Sequence, residues 1–99
     1  MLELKVESDN ICQIKGQFTR QYINDIILPG EAYIAKTEHP SFNLKEVDVC
    51  DSAGVALIIH WWRVAIQNKK SINFNELSDK MLAIMQVSGI EVEANKLKI

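Results

Sequence analysis

The residues able to do chemistry are concentrated in one stretch, Cys50-Asp51-Ser52-Ala53-Gly54, which is a thiol, a carboxylate and a hydroxyl followed by two small residues. Their surroundings in sequence do not activate them. A thiol becomes a nucleophile when a positive neighbour stabilises its thiolate, and Asp51 beside Cys50 does the opposite. His39 precedes Pro40 in a chain-breaking segment. His60 falls on the polar side of a helix, with no predictable acid or nucleophile beside it. The carboxylates occur on separate elements, without the paired spacing that general acid–base work needs. Cys12 and Cys50 lie far apart with no second Cys or His at metal-ligand spacing, so they read as reduced, buried thiols. No glycine-rich phosphate loop is present. The sequence therefore assigns no catalytic residue, no metal ligand, no cofactor and no small-molecule substrate. It points to binding.

The same stretch is well suited to start a helix. Asp51 and Ser52 are both good N-cap residues, because a short side-chain oxygen accepts from the free N–H groups of the first turn. Ala53 and Gly54 keep the turn small enough for another backbone or side chain to come close. A strongly apolar helix follows, Val55 to Asn68. On a 100° wheel, Val55, Ile58, Ile59, Trp62, Ala65 and Ile66 form one arc, the expected core face against a sheet. Leu57 and Val64 fall nearly opposite, with Trp61 on the flank. Ala56, His60, Arg63 and Gln67 fill the polar side. The second apolar surface is covered either by a neighbouring helix of the same chain or by a partner protein. The partner reading makes Asp51, Ser52, Ala53, Gly54, Leu57, Trp61 and Val64 a contact strip that begins at a close-approach turn.

The elements that must position this turn follow from periodicity. Leu2, Leu4 and Val6 alternate with Glu3, Lys5 and Glu7, the pattern of a half-buried strand. Ser8-Asp9-Asn10 is turn chemistry, and Ile11 to Lys15 resumes the extended run up to Gly16, which predicts a hairpin. From Gln17 an irregular loop leads to a short helix ending near Thr37. Asp25 is its expected cap, and Pro29 lies in the first turn, where a missing N–H does little harm. Gly30 weakens that helix by about 1 kcal/mol relative to Ala. Ser41 to Leu44 is a short strand ahead of Lys45-Glu46 and the extended run into the central turn. Ser71 to Asn75 is another strand. Ser78 caps a helix from Asp79 to Ser88, Gly89 stands at its C′ position, and Ile90 follows where an apolar residue packs back on Met85. The tail to Ile99 ends in a short extended piece. The expected fold is α/β, one domain over residues 1–99, with a mixed sheet of about four strands and helices mainly on one face.

Composition bounds the rest. With 47% hydrophobic and 24% charged residues in a chain of 99, the protein reads as an ordinary globular domain. A net charge of −2 gives no basic face for nucleic acid. The longest uninterrupted apolar run, Val55 to Ile59, falls far short of the ~20 residues of a membrane span. The first residues alternate acid with apolar groups rather than forming a leader, so the expected address is cytoplasmic.

Val47-Asp48-Val49-Cys50-Asp51-Ser52-Ala53-Gly54-Val55-Ala56-Leu57, a strand, an Asp-Ser-x-Gly turn and a helix, resembles the STAS domain family. Asn75 to Lys80 and Ser88-Gly89-Ile90 look like that family's closing strand, loop and helix. The resemblance covers residues 44–90 well and the first 16 loosely. In the family's anti-sigma-factor antagonists the turn reads Asp-Ser-Ser-Gly, and a kinase phosphorylates the serine before the glycine; that position here is Ala53, which has no hydroxyl. Ser52 is then the candidate phosphosite that remains. The stretch Asp51 to His60 is most similar to the MlaB branch, whose turn is of the Asp-Thr-Ala-Gly kind, and Asp25 to Pro29 looks like that branch's first-helix entry. This resemblance implies a non-catalytic subunit that binds and supports the cytoplasmic ATPase of an ABC phospholipid transporter maintaining outer-membrane lipid asymmetry. It touches lipid only through its partners. The antagonist branch implies the alternative, a regulator acting by partner switching.

Overall fold

Alternation in the first residues becomes a hairpin. The computed structural model describes residues 1–8 and 10–98, so Asp9 of the expected turn and Ile99 of the tail lie outside the described residues. Strand β1 (Leu2–Ser8) pairs antiparallel with β2 (Ile11–Phe18), Leu4 opposite Ile14. A short 3-10 turn (Ile23–Asp25) leads into helix α1 (Ile27–Lys36), and β3 (Ser41–Cys50) then pairs parallel with β2. Helix α2 (Ser52–Gln67) crosses back to β4 (Asn73–Asn75), which pairs parallel with β3. Helix α3 (Asp79–Val87) and a small hairpin, β5 (Glu91–Glu93) and β6 (Lys96–Lys98), complete the chain. The main sheet is mixed and runs β1-β2-β3-β4. Cys12, Ile14, Phe18, Phe42, Leu44 and Phe74 are buried on its helix side, while Glu3, Lys5, Lys15 and Gln17 face solvent. One covered face and one wet face is what period-2 patterning in the strands specifies. The expected architecture is the observed one.

Three local expectations fail. Ser41 to Cys50 is one strand of ten residues, not a short strand and a separate run. Lys45 and Glu46 are exposed to solvent at an irregularity in the pairing with β2, which resumes at Glu46 opposite Lys15. Asp25 does not cap α1: the 3-10 turn hands the chain directly to the helix through Ile26, whose N–H bonds the Ile23 carbonyl, with no side-chain cap. The tail forms the β5–β6 hairpin rather than a single extended piece.

The largest correction concerns α2. Val55, Ile58 and Ala65 are buried as expected, but Ile66 is 51% exposed and Ile59 and Trp62 are half-buried. Leu57 and Trp61, expected on the partner side, are 4% and 0% exposed. The buried arc centres on Ile58 and Ala65 instead of Trp62, because α1 as well as the sheet covers this helix. The Trp61 indole stacks on Phe42 of β3 at 4.3 Å between ring centroids and donates its Nε1–H to the Ile27 carbonyl at 3.3 Å. A Cβ built on Gly30 would overlap the same indole, so the glycine that weakens α1 is what lets the two helices meet. Tyr33 seals the other end of α1, its hydroxyl donating to the Ser41 carbonyl and accepting from the Ser41 N–H, both at 3.1 Å.

The third helix follows its sequence signals. The Ser78 hydroxyl accepts from the Met81 N–H at 3.2 Å. At the other end Gly89 N–H bonds the Gln86 carbonyl and Ile90 N–H bonds the Met85 carbonyl, a Schellman closure with Ile90 and Met85 both buried.

Candidate functional site

Asp51 organises the turn. Its Oδ1 accepts from the N–H groups of Ala53 at 3.0 Å and Gly54 at 3.1 Å, which makes it the N-cap of α2. Its Oδ2 accepts from the Arg20 N–H at 3.1 Å, and its own N–H reaches the Phe18 carbonyl at 3.4 Å. One carboxylate thus ties the end of β2 to the start of α2. Gly54 lets this happen, since a Cβ there would overlap the Phe18 carbonyl oxygen and stand 2.7 Å from its ring Cδ2. The close approach that the small turn permits is therefore made by the chain's own β2 at Gly54.

Partial burial pushes the Asp51 carboxyl up, but the N–H donors of Arg20, Gly54, Ala53 and Asp51 itself outweigh it and hold the group below its usual 3.8. A carboxyl depressed in the folded state contributes stability that is present above its unfolded pKa and is lost as pH falls through the folded value. Below about pH 4 the urea midpoint of the wild type should therefore fall more steeply than that of Asp51→Asn, whose neutral amide still caps but takes up no proton. Parallel acid limbs would show that the carboxylate charge is not engaged in this turn.

Ser52 is the first residue of α2, exposed, and not the cap. Ala53 is half-buried and lines an apolar groove of about 290 Å³ with Ala56, Leu57 and His60 of α2 and Ile23 and Ile27 from the α1 side. Leu57 contributes to the groove floor from a buried position, Val64 is half-buried further along, and Trp61 belongs wholly to the core. The expected strip is thereby divided: Asp51, Ser52 and Ala53 remain together at an accessible turn, whereas Gly54, Leu57 and Trp61 are internal. Sequence reasoning missed Ile23, Ile27 and Ala56. Ala53, Ala56 and His60 have the i, i+3, i+7 spacing of one helix face, a signal that would have found the α2 wall. It also missed an acid for His60, whose Nε2 lies 3.0 Å from Glu31 Oε2 of α1, exposed at the groove rim.

Other features carry less chemistry. Burial, with Glu7 adding to it, pushes the Cys12 thiol up to about 12, and burial also raises Cys50, so neither is an activated nucleophile. A hollow of about 460 Å³ at the far end of α2 is floored by Trp62, Ile66, Ile72 and Leu97. Two of the lysines around it are engaged internally: Lys70 Nζ donates to the Ile34 and Ala35 carbonyls, and Lys96 Nζ to Ser71 and Asn73. Among the described residues no helix is long and apolar enough to cross a membrane, and no group of His, Cys, Asp or Glu is arranged to hold a metal ion.

No family model and no curated protein matches the chain. Solved structures do. The anti-sigma factor antagonist SpoIIAA in its unphosphorylated form superposes with a TM-score of 0.67 at 17% identity, over 87% of this chain and 82% of that one. The Bacillus cell fate determinant SpoIIAA in the phosphorylated form gives 0.69 at 17% identity, over 90% and 84%. The chain has the STAS-like fold. In this STAS-like domain the turn between β3 and α2 is built around the Asp51 carboxylate, with an apolar groove beside it.

Proposed function

We propose that this STAS-like domain is a non-catalytic binding subunit that docks on and supports the cytoplasmic ATPase of an ABC phospholipid transporter maintaining outer-membrane lipid asymmetry. It would then be peripheral to the inner membrane through that complex. The observation that carries this reading is Ala53: where a hydroxyl would accept a phosphate, a methyl group lines an apolar groove at the start of an exposed helix turn. An apolar groove flanked by a polar turn offers a partner side chain a desolvated seat with hydrogen-bonding groups at its edge. Asp51, Ser52 and Ala53 form the contact in this reading, with Val64 further along.

The second reading, a partner-switching regulator, draws on the neighbours, one described as an anti-sigma factor antagonist and both defined by phosphorylation state. Ser52, exposed at the first position of α2, would carry the phosphate there, favoured by the helix N-terminus. Capture of the tagged protein from its own host separates the two: an ABC ATPase supports the first, a kinase together with phosphate on Ser52 by intact mass supports the second.

The contact itself is tested by Ser52→Asp. Asp at a first helical position suits the helix dipole, so the melting temperature should hold. A charge desolvated on docking should weaken ATPase binding by about tenfold or more, ~1.4 kcal/mol. Unchanged affinity in the folded variant removes this turn from the interface.

A further inference from the structure

Strand β1 is an edge of the main sheet, and among the described residues nothing pairs with its outer side. The Met1 carbonyl accepts from the Gln17 N–H at 3.0 Å, which fixes the alternation. The odd residues of β1 turn their backbone groups to β2, and Leu2, Leu4 and Val6 turn theirs outward. Native edges are usually blunted by proline, by a bulge or by charged side chains, which repel a second edge where they meet charge of their own sign. This one reads Leu2-Glu3-Leu4-Lys5-Val6-Glu7, without proline, and the pairing irregularity comes only after Val6.

We infer that this edge pairs with the same edge of a second copy, antiparallel about a twofold axis at Leu4. That register sets Leu4 against Leu4 and Leu2 against Val6, with outward backbone groups facing each other at all three. On the solvent face it sets Glu3 against Lys5 of the other copy, twice. A twofold at Lys5 would oppose lysine with lysine and Glu3 with Glu7, and one at Val6 would run into the irregularity. Charge and geometry therefore select the same register. The pairing also covers Val6, which is 53% exposed on the same face as the buried Leu2 and Cys12, with Leu2 of the partner copy. The surface is separate from the α2 turn and independent of the function proposed for it.

Sedimentation velocity over a concentration series tests this, with melting temperatures confirming that each variant folds. Lys5 faces the uncharged Gln13 within its own sheet, so Lys5→Glu is the clean substitution; Glu3 faces Lys15, and Glu3→Lys carries a small intrachain penalty. Wild type should show a concentration-dependent dimer. Lys5→Glu and Glu3→Lys alone should each weaken it by about tenfold or more, since each turns two attractive pairs into repulsive ones. The double variant should restore it, and so should mixing the two single variants, where lysine on one edge meets glutamate on the other. Hydrogen exchange at the Leu4 and Val6 amides should slow as wild type dimerises. A monomer throughout the range, or a dimer that both single variants leave unchanged, overturns the inference.

Discussion

Trp61→Ala should destabilise the protein by about 3–5 kcal/mol, a large share of the 5–15 kcal/mol that holds a typical domain together. The ring has no exposed surface and stacks on Phe42 with 5° between planes, with Phe18 6.3 Å away on a second side. Truncation removes those contacts, opens a void against Gly30, and leaves the Ile27 carbonyl without its indole donor. Ile66→Ala, on the same helix but half in solvent, should change stability by no more than about 0.5 kcal/mol. Urea denaturation of both variants gives the comparison directly. A larger loss for Ile66→Ala than for Trp61→Ala would mean that the buried arc of α2 is wrongly assigned.

Gly54→Ala should also destabilise, against the usual direction for a helical glycine. Alanine gains up to about 1 kcal/mol in helix propensity. Its Cβ would press on the Phe18 carbonyl oxygen, which is backbone and cannot rotate aside, and overpacking of this kind costs about 1–3 kcal/mol, occasionally more. The second effect wins because relief requires the end of β2 to move, and that disturbs the Asp51 hydrogen bonds to Arg20 and Phe18. Each kcal/mol should lower the melting temperature by roughly 4–8 °C in a domain of this size. A variant that melts higher than wild type would show that β2 and the turn are not in contact.

What was legible in the sequence was whatever depends on neighbours in the chain. Alternation gave β1 and β2, and Ser78 with Gly89-Ile90 marked both ends of α3. Asp51 to Gly54 marked the start of α2. What was not legible depends on residues that meet only in space. Gly30 counts against a helix when read alone, and its use appears only when the Trp61 ring lies against it. The wheel for α2 assumed a sheet on one side. With α1 docked on a second side, Leu57 and Trp61 became core and Ile66 was left outside. Both Asp51 and Ser52 suit a cap, and the choice fell to Asp51 because its second oxygen also reaches Arg20. The groove beside Ala53 needed Ile23 and Ile27, which lie in the stretch where periodicity is weakest.

The aromatic contacts have a consequence for how the domain opens. Phe18, Tyr33, Phe42, Trp61 and Phe74 form one connected set of rings, one from each of β2, α1, β3, α2 and β4. No one of these elements can detach without breaking into the same set, so local opening and global unfolding should lie close together in free energy through the centre of the chain. The two parallel crossovers must both close before the rings meet, which places the entropic cost of folding ahead of its packing return. A protein that engages the start of α2 therefore meets a preformed surface. Its affinity is set by the fit to that surface and not by ordering the domain behind it.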